Sequence, residues 1–267
     1  MILFTSDLDR TLIYSNNMMK KYPILGDVAG IEYKDDEIIS FMSNQSVELL
    51  KQFHEKHLFV PVTTRTIDQY ERIVAFQQWI RPKYAITNNG GTILVDGKRD
   101  VEWDQMIRQE IAATSLPKED LLKLFANISN KDWVEKVHNS DDLFYIIYIN
   151  RQHFPYQEHT NFEKEFNKIG WKIYLQGRKL YILPAQLDKA IAVAHLQKHV
   201  DYDLHIAAGD SLMDYEMLVQ ADISYSPTHG EIFEKKCDDP KVIWLKELGA
   251  TSTEELLGHL LDMPVKH

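Results

Sequence analysis

The chain has 267 residues, enough for one large domain or for a core with a smaller second module. It is 44% hydrophobic and 26% charged, as an ordinary globular enzyme is, and no apolar run approaches the roughly 18 residues of a membrane span. A net charge of −10 argues against nonspecific nucleic-acid binding, although a few local cations or a metal can still draw a small anion into one pocket.

Met1 to Ser6 is a short apolar run that ends in acidic residues, the pattern of a buried parallel strand whose carboxyl end meets solvent. This start lacks the basic and long apolar regions of a secretory signal. The single cysteine, Cys237, excludes an internal disulfide framework and fits a reducing compartment, so a cytoplasmic protein is expected. Asn44 to His57 carries Val47, Leu49, Leu50 and Phe53 among polar residues, which suits an amphipathic helix. Leu58 to Val62 reads as a second buried strand, Ile67 to Trp79 as a helix, and Tyr84 to Thr87 as a third strand closed by Asn88-Asn89-Gly90-Gly91. This alternation predicts a doubly wound parallel sheet.

The character changes after Gly91. Thr92 to Val101 reads as a hairpin about Asp96-Gly97, Leu116 to Ile128 as a helix with Pro117 in its first turn, and Leu143 to Asn150 as a strand. Phe162 to Ile169 is helical, and Trp171 to Pro184 forms two strands about Gln176-Gly177. From Asp188 the alternation resumes: a helix to Val200, a strand Leu204 to Ala208, a helix Met213 to Gln220 and a strand Asp222 to Tyr225. The expected architecture is an α/β core of residues 1–91 and 186–267 interrupted by an inserted α+β module of residues 92–185.

The residues that carry chemistry fall at strand ends. Asp7-Leu8-Asp9-Arg10-Thr11 follows the first strand, where ligands of open α/β sheets bind. Two carboxylates this close repel unless a cation or proton separates them, and Mg²⁺ supplies such a cation at sites that also hold a substrate phosphate. One carboxylate can then attack phosphorus while the other protonates the leaving oxygen and later activates water. Alone, the pair reads equally well as a solvated acidic turn or a helix cap. Gly209-Asp210-Ser211-Leu212-Met213-Asp214 follows another strand, and its carboxylates with Asp7 form a candidate Mg²⁺ site; the same segment also reads as a capped helix start. Thr63 ends the second strand and Lys189 opens a helix, positions from which a hydroxyl and an ammonium can hold phosphate oxygens.

Together the blocks Asp7-Leu8-Asp9-Arg10-Thr11, Val62-Thr63-Thr64-Arg65, Asn88-Asn89-Gly90-Gly91, Asp188-Lys189-Ala190 and Gly209 to Asp214 give a sequence that resembles the haloacid dehalogenase (HAD) superfamily. The resemblance is to the Cof-like, type IIB phosphatases with a large αβ cap, and it spans nearly the whole chain in order. It implies a HAD-like doubly wound core with an inserted cap, Asp7 as the phosphorylated nucleophile and Asp9 as general acid/base. It further implies Thr63 or Thr64, Lys189 and Arg65 around the phosphate. For Mg²⁺ it implies Asp7, Asp9 through its backbone carbonyl, and Asp210, with Asp214 in support. Three departures stand out: Arg10 where many relatives have glycine, Thr64 where Thr-Gly-Arg is usual, and Met213 where Asn-Asp is common.

Other features carry less. His54-Glu55-Lys56-His57 is not zinc-protease spacing, Cys237 has no spaced partner, and Tyr145, Tyr148, Phe154, Tyr156 and Trp171 read as strand packing before a sugar-binding surface. The expected function is a Mg²⁺-dependent phosphatase acting on a small phosphorylated metabolite, a sugar phosphate first, without nucleic-acid or membrane partners. A phosphotransferase or mutase using the same nucleophile is the alternative, followed by a weakly active phospholigand-binding regulator.

Overall fold

The computed structural model describes residues 1–237 and 239–263. They form two compact units, Met1–Arg99 with Lys189–His267, and Asp100–Asp188. The hairpin Thr92–Val95 with Lys98–Arg99 thus belongs to the first unit, whereas the sequence pattern assigned it to the insertion.

The first unit is built on a five-stranded parallel sheet in the order Val242–Leu245, Ile223–Pro227, Leu204–Ala208, Ile2–Ser6, Leu58–Pro61. Ile2–Ser6 is buried at every position, as a strand covered on both faces must be. On one side Phe4 packs against Phe53 and Phe59, with ring centroids 5.7 Å away in each case, and joins a core with Leu50, Leu256 and Leu260. Helix Asn44–His54 supplies the first of these and packs against helix Ala250–Leu261. The Tyr84–Thr87 strand joins the sheet edge through one parallel bridge, Val62 to Ile86, and otherwise pairs antiparallel with Thr92–Val95.

Four stretches depart from the sequence reading. Residues 14–43 form a three-stranded antiparallel sheet of Tyr14–Ser15, Val28–Lys34 and Glu37–Ser43, with a short helix Asn16–Lys21. Its hairpin turns through Asp35 and Asp36, both left-handed at φ 50° and 64°, in place of the Asn-Gly or Asp-Gly pair that announces such a turn. The helix expected over Ile67–Trp79 is split into Ile67–Glu71 and a wider π-type turn, Ala75–Trp79, because Ile73 between them is drawn into a bridge with Glu32. A helix Val101–Thr114 stands where a strand end was read; its cap Asp100 accepts from the Trp103 N–H at 3.0 Å. At the C-terminal end, the strand Val242–Leu245 and helix Ala250–Leu261 complete the sheet and its cover.

The second unit has a four-stranded antiparallel sheet ordered Trp171–Gln176, Lys179–Pro184, Phe144–Ile149, Val134–Ser140. Alternate residues Tyr145, Ile147, Ile173, Leu180 and Ile182 meet Leu121, Phe125 and Phe166 from its helices in a separate core. The aromatic residues singled out in the sequence are largely this packing: Trp171, Tyr145 and Phe154 are buried in it, with Tyr156 exposed beside Phe154.

Candidate active site

Asp7 continues the central strand, its N–H donating to the Ala208 carbonyl at 2.9 Å. That strand is where the chain, having wound outward through Leu58–Pro61, returns on the other side through Leu204–Ala208. Asp7 therefore stands at the topological switch point, beyond the carboxyl ends of the strands. The turn that follows is tight, with the Leu12 and Ile13 N–H groups both donating to the Leu8 carbonyl at 2.9 Å.

Lys189, 1% exposed at the start of helix Lys189–Leu196, donates to Asp7 Oδ1 at 2.5 Å and to Asp214 Oδ1 at 2.6 Å. Asp214 uses its other oxygen as a hub, accepting from the Asp210 N–H at 3.1 Å and from the Ser211 N–H and hydroxyl at 2.8 Å each. Gly209 is required by this closeness, since a Cβ there would lie 2.4 Å from Asp214 Cβ. Asp7, Asp210 and Asp214 each present a carboxylate oxygen within 4.8 Å of the others, all buried.

Three carboxylates against one buried lysine leave the site short of positive charge. Burial pushes the Asp7 carboxyl up to about 7, with Lys189 opposing and Asp214 and Asp9 adding to the rise. Burial likewise raises Asp210 well above the ordinary value. Burial works against the Lys189 ammonium too, but Asp214 and Asp7 outweigh it and raise its pKa. Asp210 Oδ2 is buried and accepts no hydrogen bond from the described residues; the nearest cation is Arg10 Nε at 3.3 Å, outside hydrogen-bond geometry. A buried all-oxygen donor set with an unsatisfied carboxylate oxygen fits a small hard divalent cation. The carboxylate of Asp9 is not a member of this group.

Arg10 occupies the place of the usual glycine at φ 69°, a left-handed conformation that costs an ordinary residue about 1–2 kcal/mol. Its side chain offsets this by donating to the His229 carbonyl at 2.6 Å. The His229 ring, accepting at Nδ1 from the Gly249 N–H at 3.3 Å, donates through Nε2 to the Arg10 carbonyl at 2.9 Å. His229 gave no sequence signal, since it lies more than two hundred residues from its partner.

Thr63 is buried, its N–H donating to the Ile86 carbonyl at 2.8 Å and its hydroxyl accepting from the Arg65 N–H at 3.2 Å; Thr64 is half-buried. Asn88 and Asn89, both left-handed, close over the same loop by donating backbone N–H bonds to the Arg65 and Thr63 carbonyls. Arg65 itself is turned toward carboxylates. It donates to both oxygens of Asp9 at 2.8 Å each and to Glu32 at 2.7 Å, and these partners raise its pKa although burial works the other way. Glu32 was not singled out in the sequence, because one glutamate in a charged stretch (Glu32 to Glu37) carries no pattern. Cys237 is a free, half-buried thiol.

A model of the sucrose-6F-phosphate phosphohydrolase family matches residues 1–226. No curated protein sequence matches the chain. Among solved structures, the sucrose-phosphatase of Synechocystis sp. PCC6803, in complex with sucrose and phosphate, is similar with TM-score 0.67 at 14% identity, over 97% of each chain. A HAD subclass IIB sugar phosphatase is similar with TM-score 0.64 at 14% identity, over 98% of this chain and all of that one (100%). A haloacid dehalogenase-like hydrolase of Bacillus subtilis is similar with TM-score 0.55 at 15% identity, over 98% of this chain and 92% of that one.

Proposed function

The chain belongs to the sucrose-6F-phosphate phosphohydrolase family and has the fold of HAD phosphatases; from that premise we propose that it is a Mg²⁺-dependent sugar-phosphate phosphatase working through an aspartyl-phosphate on Asp7. The observation that carries the reading is the buried Asp7–Lys189–Asp214 chain at the switch point, with Asp210 beside it.

In this reading Asp7 attacks the phosphorus of the bound ester, the bond from phosphorus to the sugar oxygen breaks, and Asp9 gives that oxygen its proton. Water then attacks the phosphoryl group on Asp7, Asp9 takes the proton, and inorganic phosphate and free Asp7 are regenerated. Lys189 holds Asp7 in line and has a third N–H direction for a phosphate oxygen. Thr63 and Thr64 offer a hydroxyl and loop backbone to the same phosphate. The cation would be held by Asp7 and Asp210, with the Asp9 backbone carbonyl, and supplies charge neutralisation for the phosphoryl group. Asp214, whose oxygens are committed to Lys189 and to the Asp210–Ser211 backbone, serves as orienter of the lysine and of the metal loop. Arg65 was expected at the phosphate; its engagement with Asp9 and Glu32 favours a role in holding the acid/base instead.

A phosphate-release screen over sugar phosphates tests the reading, with and without Mg²⁺. Stoichiometric free phosphate from a sugar monoester, lost on chelation, is the expected result. Transfer of the phosphoryl group to a second sugar without phosphate release would make the chain a phosphotransferase, and Mg²⁺-independent turnover would remove the metal from the account.

A further inference from the structure

Asp9 is 52% exposed at its side chain, and a half-exposed carboxylate on a turn samples several rotamers unless something fixes it. Arg65 does so with a two-pronged grip on both its oxygens. Arg65 is in turn a long, flexible side chain, and what stops it turning away is Glu32, which lies at 1% exposure and accepts from Arg65 Nη1 at 2.7 Å.

Glu32 is itself built in from several sides. The strand Val28–Lys34 is irregular around it, with the register shifting on either side of Glu32. Ile31 and Glu32 are consequently both buried, breaking the alternation of a regular strand and aiming the carboxylate inward. Ser40, its cross-strand partner, donates to Oε2 at 2.6 Å, and Arg72 donates to Oε1 at 3.0 Å. A carboxylate buried this completely is tolerable only with such partners.

We propose that Glu32, carried by the hairpin of residues 28–43, is a positioning residue of the reaction: it anchors Arg65 so that Arg65 fixes the Asp9 side chain by one oxygen while the other, released from the guanidinium, carries the proton that goes to the leaving oxygen. The inference rests on the phosphatase reading and on Asp9 as its acid. The hairpin is then a working part of the catalytic unit, tying a segment between the nucleophile and the second strand to the acid/base side chain.

The test uses the purified full chain with Mg²⁺ and two aryl phosphates, p-nitrophenyl phosphate and phenyl phosphate, read as kcat/KM. The first has a leaving group that departs without help; the second needs its proton. Asp9→Asn should depress phenyl phosphate turnover by about 10²–10⁴-fold while sparing p-nitrophenyl phosphate far more. Glu32→Gln should show the same selectivity with a loss of about 10–100-fold on phenyl phosphate. In the Asp9→Asn background it should add no further selectivity, since the acid it positions is gone. Ser40→Ala, a smaller perturbation of the same carboxylate, should fall between wild type and Glu32→Gln, and it carries the test if Glu32→Gln does not fold.

A Glu32→Gln or Ser40→Ala enzyme that loses equally on both esters, or on neither, overturns the positioning role while Asp9→Asn still behaves as expected. If Asp9→Asn itself shows no selectivity, Asp9 is not the acid and the inference falls with it; a wild type that releases phosphate from neither the aryl esters nor any sugar phosphate overturns the phosphatase reading itself.

Discussion

Lys189 and its two aspartates set the terms at the scale of single residues. Replacing Lys189 with methionine leaves Asp7 and Asp214 facing each other in a buried site, and breaking such a pair costs about 3–5 kcal/mol. Lys189→Met should therefore lose activity and unfold at distinctly lower urea concentration than the wild type at neutral pH. Asp7→Asn differs in kind. Lys189 keeps Asp214 as partner, and the carboxylate removed is one that burial disfavours, so the variant should be inactive yet melt no lower than the wild type. A fall in melting temperature with activity retained would reverse the roles given to Asp7. The structure brings together Asp7, Asp210 and Asp214, which stood out in the sequence because their acidic motifs directly follow apolar runs. Glu32 and His229 did not, because their meaning lies in partners tens or hundreds of residues away.

At the scale of elements, the strand pair Ile2–Ser6 and Leu204–Ala208 carries a pH signature. His205 accepts at Nδ1 from the Gln197 amide at 3.0 Å and meets the Thr5 hydroxyl through Nε2 at 2.9 Å. Burial lowers its pKa to about 4, with Asp222 pulling the other way. The folded chain thus refuses a proton that the unfolded chain takes near 6.5, so this contribution is complete above about 6.5 and is lost as pH falls toward 4, to a limit of about 3 kcal/mol. Burial lowers His54, His57 and His229 in the same direction. The raised carboxyls of Asp7 and Asp210 act in the opposite direction over the same range, so His205 is read as a difference between proteins: in denaturant titrations the wild type should lose more stability, or gain less, between pH 7 and pH 5 than His205→Gln does, and an equal change in both would contradict the assignment. The parallel strands were readable from their apolar runs. The hairpin over residues 28–43 and the helix Val101–Thr114 were not, since the first turns on two aspartates and the second buries only Trp103 and Ile107.

At the scale of the whole molecule, the order of motifs along the chain mattered more than any one of them. A strand-end acidic pair is common; the same pair followed in sequence by Thr63, Lys189 and Asp210 at further strand ends and helix starts matches the layout of a HAD fold, and the family match over residues 1–226 agrees with it. The break in βα alternation after Gly91 read as the start of an insertion; the hairpin of residues 92–99 is antiparallel and yet belongs to the first compact unit, and the second unit runs Asp100–Asp188. The proposed Mg²⁺ requirement is tested at this scale: chelation should abolish phosphate release and Mg²⁺ should restore it. Among the described residues no helix is long and apolar enough to cross a membrane.

The central claim is that Asp7 becomes covalently phosphorylated. Mixing the enzyme with substrate and Mg²⁺, quenching in acid within the first turnover and mapping the peptide that carries Asp7 by mass spectrometry reads this directly. A phosphoryl adduct on Asp7 in the wild type, absent from Asp7→Asn, is the predicted result. Phosphate release at full rate with no adduct on Asp7, or an adduct on another side chain, would contradict it.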